Sequence, residues 1–202
     1  MSNKFKNPLV PMIDNPVNID RPIQEMQVAL AELGWLEKSF GRAYNSYKTV
    51  TGPLGARTET YPEVWQGKDK DLLNVLPNDN LKSQSFFRVH EPQEVIDYVM
   101  DGYSMMRATV SIIFWFNLKE IDPSIDYRYI ELLKGQVQRV LTTMLFSPDS
   151  SIKIMRIWDT ADRVFETYDV SKVRDQELVH PCGGFRFECE LTYREDCPDV
   201  VL

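Results

Sequence analysis

Residues 185–194, FRFECELTYR, alternate without a break: Phe185, Phe187, Cys189, Leu191 and Tyr193 on one side, Arg186, Glu188, Glu190, Thr192 and Arg194 on the other. Successive side chains of a strand point to opposite faces. The run therefore predicts a strand with one buried face and one face that is wet or paired with charges. A second strand is predicted at 107–118, where Ala108, Val110, Ile112, Phe114, Phe116 and Leu118 share one face. Its other face carries Thr109, Ser111, Ile113, Trp115 and Asn117, so partial cover is expected there too.

Two amphipathic helices are available to cover such a sheet. Ile23, Met26, Leu30 and Leu33 form one stripe, with Asp20 placed to cap it, Pro22 tolerated in the first turn and Gly34 a natural stop. Ile130, Leu133, Val137, Val140 and Met144 form a second, opposite Arg128, Glu131, Lys134, Gln138 and Arg139. Asp122-Pro123 predicts its start and Pro148 its end, a helix of about five or six turns.

Short runs at 61–66, 72–76 and 84–89 predict strands, separated by Gln66-Gly67 and by Leu76-Pro77-Asn78-Asp79-Asn80. Runs at 152–158 and 163–168, joined by Asp159-Thr160-Ala161-Asp162, predict a hairpin. Residues 35–44, WLEKSFGRAY, fit strand or helix. Residues 45–60, rich in Gly, Thr and Ser, predict a long loop or the tip of a long hairpin. The order helix, strands, helix, strands predicts an α+β domain, a mainly antiparallel sheet packed by two amphipathic helices. With no internal repeat and no linker, residues 20–197 read as one domain, with a tail over 198–202. Pro8, Pro11, Pro16 and Pro22 block helix, so residues 1–19 read as an extended arm or a disordered tail. Leu9, Val10, Met12 and Ile13 would give such an arm something to bury on a neighbour.

Composition narrows the function. The 202 residues are 43% hydrophobic and 11% aromatic, which excludes a disordered chain. No apolar run approaches the roughly 18 to 20 residues of a membrane-spanning helix, and the amino terminus lacks the apolar core of a secretory signal, so a cytoplasmic protein is expected. Cys182, Cys189 and Cys197 leave at least one thiol unpaired, against a disulfide framework. The net charge is −7 and the 23 Lys and Arg are dispersed, so tight binding to phosphates is not expected. An acidic surface would suit a conduit through which DNA slides without adhering.

Nothing along the chain is equipped for catalysis. His180 with Cys182, Cys189 and Cys197 supplies zinc-ligand types, but without close pairs and with Cys189 aimed into the predicted core. His90, before Glu91-Pro92, has no orienting carboxylate or serine at a useful spacing and reads as a surface or turn residue. Gly52-Pro53-Leu54-Gly55-Ala56-Arg57 lacks the GK[ST] ending of a phosphate loop. Tyr44, Tyr47, Tyr61, Trp65 and Trp115 could form a sugar-stacking set, although aromatics at this density more often serve core or interface. No catalytic, cofactor-binding or metal-binding residue is expected, and the protein is read as a non-enzyme.

The succession of a capped helix, WLxxxFGRAY (35–44), YPEVW (61–65), LLNVLPNDN (72–80), SFF (85–87), a strand ending in FNL (116–118), an amphipathic helix and PCGGFRFECEL (181–191) resembles small virion proteins of tailed bacteriophages. It is most similar to the connector or tail-terminator type of crAss-like and other Bacteroidetes phages. The resemblance spans 19–197, and the NVLPNDN turn followed by SFF is its most specific piece. It implies a tail-terminator-like fold and a structural subunit in the neck of the virion, assembled in the host cytoplasm. The implied partners are further copies of itself, in a cyclic ring of sixfold or twelvefold symmetry, a portal or connector ring, and the tail tube or neighbouring neck proteins. DNA would be a passenger in the lumen, and no membrane or cofactor is implied.

The parts that suit such a ring are the arm (Leu9, Val10, Met12, Ile13), the 45–60 segment (Tyr47, Leu54, Arg57) with Tyr44 just before it, and the second face of the 107–118 strand (Ile113, Trp115). The competing expectation is a small-molecule or carbohydrate-binding module, with the same aromatics lining a concave pocket.

Overall fold

The computed structural model describes residues 10, 12–52, 55–68, 70–77, 80–99, 103–125, 129–170 and 178–196. Along them run α1 (Asp20–Ala31), β1 (Lys38–Gly52), β2 (Gly55–Val64), β3 (Leu73–Asn74), β4 (Ser83–Val89), β5 (Glu94–Val99), β6 (Tyr103–Asn117), α2 (Leu118–Ile121), α3 (Ile130–Thr143), β7 (Ser151–Trp158), α4 (Ala161–Val164) and β8 (Cys182–Asp196).

The alternation of the last strand places β8 beside β6 along its whole length, from Tyr103 opposite Asp196 to Asn117 opposite Cys182. Ala108, Val110, Ile112 and Phe114 meet Leu191, Cys189, Phe187 and Phe185 across the ladder, and all are at most 2% exposed. At the far end Phe116 faces Gly183, where a Cβ would sit 2.6 Å from the Phe116 ring. That ring requires a glycine opposite it. Trp35 closes this aromatic layer, its ring 5.8 Å from Phe116 and 6.1 Å from Phe114. The stripes Ile23, Met26, Leu30 of α1 and Ile130, Leu133, Val137, Leu141 of α3 pack on the same face, so this is the main core. The strands lie in the order β3-β2-β1-β4-β6-β8-β7, with β5 on β6 beyond the end of β4. All pairings are antiparallel except β1 with β4. The expectation of an α+β domain with a mainly antiparallel sheet and two amphipathic helices describes this arrangement.

The second face carries its own core. Phe40, Ala43 and Val64 from the β1–β2 side, Phe86 of β4, and Ile113 and Trp115 of β6 are covered by Val164, Phe165, Tyr168, Leu178 and Cys182. A bulge between Ser39 and Arg42 changes the alternation of β1. Phe40 and Ala43 therefore join the second core, while Arg42 reaches Asp20 of α1 at 3.3 Å. This cover spans only part of the face, and Arg107 and Thr109 of β6 are exposed farther along.

Several local expectations are corrected. Asp20 is the first helical residue of α1 and spends its carboxylate on Arg42, leaving the cap position to Ile19 with no side-chain cap. The second helix starts at Ile130 and has 14 residues, about four turns, because Asp122 accepts from the backbone N–H and hydroxyl of Ser124 and closes a turn instead of capping. Residues 163–168 form no second strand of a hairpin: α4 and the following turn lay Val164, Phe165 and Tyr168 over the second core. Residues 38–44 of WLEKSFGRAY are strand, and 45–60 is the outer part of a hairpin, of which residues 53 and 54 lie outside the described residues. β5 was not anticipated at all, although its run EVIDYV is rich in β-branched and aromatic side chains. No helix among the described residues is long and apolar enough to cross a membrane.

Candidate functional site

The β1–β2 hairpin is the largest feature that the two cores do not require. β1 pairs with β4 only as far as Ala43, opposite Arg88, and β2 pairs with β3 only at Glu63 and Val64. From Asn45 opposite Pro62 to Gly52 opposite Gly55 no third strand pairs with the hairpin among the described residues, although Val75 donates to Pro62 O and Asp169 to Thr60 O. At about 3.4 Å per residue these eight-residue arms are about 27 Å long, and their inner half is held by the chain's own residues. Tyr44 and Tyr47 are 44% and 67% exposed, and Lys48, Thr49, Thr51 and residues 55–58 are exposed as well. A two-stranded ribbon alone is marginal in water, so its base needs anchoring. The Glu59 carboxylate, fully buried, accepts from Arg57 at 2.8 Å and from the Tyr61 hydroxyl. Asp169 adds a backbone N–H donated to Thr60 O at 2.9 Å and a carboxylate 3.7 Å from Arg57. The hydrogen bond to Glu59, then the charge of Asp169, raises the pKa of Arg57 above its ordinary value.

Beside this base, between α1 and the start of the hairpin, lies a cleft of about 440 Å³. Ile23, Gln27 and Gly41 contribute to it with the flanking Ile13, Val64 and Leu72, and the aromatic rings of Tyr44 and Trp65 line it too. Its polar groups are mostly engaged. Gln24 makes two hydrogen bonds with the backbone of Ile13, at 2.9 and 3.0 Å, and Gln27 donates to Ser39 O at 2.9 Å. Arg42 pairs with Asp20 and lies over the Tyr44 ring, 5.0 Å from its centroid. Partial burial, then the Asp20 charge, raises the pKa of Tyr44. At Gly41 an added Cβ would stand 3.0 Å from Gln27 Oε1, so the close passage of β1 under α1 depends on a missing side chain.

The expected contact residues separate into three groups. Tyr44, Tyr47 and Arg57 lie on or at the base of the exposed hairpin, while Leu9 and Leu54 fall outside the described residues. Val10 packs against the second core and Ile13 is held by Gln24, so both serve their own chain, whereas Met12 is 39% exposed. Ile113 and Trp115 are corrected to core: at 2% and 3% exposure they pack with the chain's own Val164, Phe165, Tyr168, Leu178 and Cys182 and offer no surface to a neighbour. Of the sugar-stacking set only Tyr44 and Trp65 share a cleft, since Tyr61 is bound to Glu59 and Trp115 is buried.

The nucleophilic and titratable side chains are dispersed. Cys182 lies in the second core and Cys189 in the main core, on opposite faces of the sheet, and burial pushes the Cys189 thiol up to about 12. Cys197 lies outside the described residues. His90 is half-buried rather than a surface residue, with Nε2 2.8 Å from Ser111 Oγ. Burial, then the charges of Arg88 and Arg186, lowers its pKa. Among the described residues no three His, Cys, Asp or Glu side chains converge as a metal site would require. The cleft escaped sequence reading, and 45–60 fitted a long loop as well as the tip of a long hairpin, because both depend on where β4 stops pairing with β1. No protein-family model matches this chain, and no curated protein matches it.

Proposed function

We propose that the protein is a non-enzymatic structural subunit that self-associates through its hairpin, as a ring in the head-to-tail neck of a tailed phage. The observation that carries this reading is the β1–β2 hairpin, which beyond Tyr44 pairs with no third described strand and is exposed at Tyr44 and Tyr47. A self-sufficient domain gains little from such an element, whereas a neighbour that buries it repays its ordering. In the ring, successive copies would close a cyclic interface around the DNA channel, meeting a portal or connector on one side and the tail on the other. The net charge of −7 suits a lumen that does not hold phosphates. The place of action is then the virion, after assembly in the host cytoplasm. The extended arm over residues 1–19 and the tail-terminator-like character of the fold belong to the same proposal.

Native mass spectrometry of the purified chain, with negative-stain images of the same sample, tests it. A closed multimer with a hole near the width of duplex DNA is the expected result, and replacing residues 46–58 by a two-residue turn reduces it to monomer. A wild-type chain that stays monomeric overturns the ring. A second reading, a small-molecule or carbohydrate-binding module, draws on the cleft in which Tyr44 and Trp65 meet. It expects a monomer whose melting temperature rises with a ligand, and loses that response on Trp65→Ala.

A further inference from the structure

Two strands have a paired neighbour on one side only, β5 on the β4 side of β6 and β7 at the opposite edge beyond β8, and they differ in charge. Among the described residues β5 pairs only with β6, and β7 only with β8. β5, EVIDYV, carries Glu94 and Asp97 and no cation. β7, SIKIMRIW, carries Lys153 and Arg156 and no anion. All four charged side chains are exposed.

Both strands also expose large apolar side chains, Val95, Ile96 and Tyr98 at 44%, 41% and 79%, and Met155 and Ile157 at 48% and 38%. An unpaired edge presents free N–H and C=O groups to any matching strand, and natural edges are usually blunted against this. Here each edge carries one bulge, between Val95 and Asp97 and between Ile154 and Arg156, yet keeps its exposed apolar residues. The edges are also staggered. β5 lies opposite residues 103–107 of β6, whereas β7 runs from the level of Arg107, through Thr192, to the level of Ile113, through Arg186. A sheet that closes on itself needs such a stagger between its joined edges. Residues 94–98 of β5 are exposed, and β1 beyond Ala43 pairs with β2 and not with β5.

We infer that the acidic β5 edge of one copy adds to the basic β7 edge of the next, so that the sheets of successive copies run on into one another. This rests on the self-association proposed above and adds a second contact to that of the hairpin. Main-chain hydrogen bonds and the apolar side chains supply attraction, and the opposite charges disfavour β5 on β5 and β7 on β7. A contact between two different surfaces is head to tail, which yields closed rings or open chains and not an isolated twofold dimer.

Charge exchange tests it on the full chain. One variant carries E94K and D97K. A second carries K153E and R156Q, with glutamine chosen because Arg156 also bonds Glu188 at 3.0 Å. Folding of each is checked by circular dichroism, and mass by native mass spectrometry. Each variant alone is expected to be monomeric, like charges now meeting at its edges. An equimolar mixture is expected to regain the wild-type copy number with equal numbers of each variant, since every contact then joins opposite charges. Wild-type multimers unaffected by either variant overturn this contact and leave the ring standing. A mixture that stays monomeric overturns it as well, and a wild-type monomer overturns both proposals. Should a reversal prevent folding, the milder E94Q/D97N chain decides: its dissociation constant rises about tenfold or more, and an unchanged constant refutes the edge contact.

Discussion

β1 and β6 are both strands of 15 residues, yet they have opposite fates. β6 keeps β8 beside it from end to end, with β4 and β5 sharing its other side, and buries Phe114 and Ile112 completely. β1 has neighbours on both sides only to Ala43 and then continues with β2 alone, its Tyr47 67% exposed. Length does not separate them. Residues 107–118 place an unbroken apolar row on one face, whereas 44–52 read YNSYKTVTG and offer no such row. Strand pairing extends as far as a buried face rewards it; beyond that a hairpin persists only where its base is clamped or its surface is used elsewhere.

The contrast can be broken most forcefully at the buried strand's partner. Phe187→Ala removes a fully buried ring from the main core and is expected to cost about 3–5 kcal/mol in chemical denaturation. A loss below about 1 kcal/mol would mean that the two faces are not as differently packed as described.

The second core offers an intermediate case. Arg186 is 2% exposed and donates to Glu166 at 2.6 Å, so Glu166→Ala leaves a buried cation short of a partner. Because Glu166 itself is 40% exposed, solvent screens the pair, and a loss of about 1–2 kcal/mol is expected. The hydrogen bond from Arg186 lowers the Glu166 pKa, so this contribution is complete above the ordinary carboxylate value of 4.5 and is lost as pH falls through the lowered one. Glu166→Gln should flatten that acid limb of the stability curve.

His90 gives a smaller effect at milder pH. Its folded pKa is lowered, so the native state disfavours the imidazolium. Stability is complete above 6.5 and declines as pH falls toward the lowered value. His90→Gln can still reach Ser111 without titrating, and denaturation midpoints measured from pH 7.5 to 5 should lose this slope. An unchanged slope would assign it to other groups.

The smallest effect is expected on the hairpin. Tyr47→Ala should shift monomer stability by less than about 0.5 kcal/mol, as exposed substitutions usually do. If self-association weakens at the same time, the residue is used between copies. A large loss of monomer stability would instead place Tyr47 with β6 in the comparison.

The alternation of 185–194, the apolar row of 107–118 and the stripe Ile23, Met26, Leu30 were legible in the chain, because periodicity reports directly which face a residue buries. The final strand runs longer than its alternating part, since Gly183 and Gly184 extend the ladder without contributing to the pattern. The 163–168 segment misled because Val164, Phe165 and Tyr168 are apolar for a tertiary reason, covering Ile113 and Trp115, and not for a strand of their own. Of the expected contact residues, Tyr44, Tyr47 and Arg57 could be placed near a hairpin from turn composition, but Ile113 and Trp115 could not be told from surface.

By itself, then, the amino-acid sequence determined the α+β class, the paired central strands, the helix stripes and the absence of an apolar run long enough to span a membrane. These depend on local periodicity and composition. Only the tertiary structure decided that Ile113 and Trp115 on the second face of β6 are covered by the chain's own Val164, Phe165, Tyr168, Leu178 and Cys182, that β4 releases β1 at Ala43, and that β5 and β7 are left as edges of opposite charge. Each of these is set by which distant segment reaches a strand's free side, and no residue carries that information in its immediate neighbours.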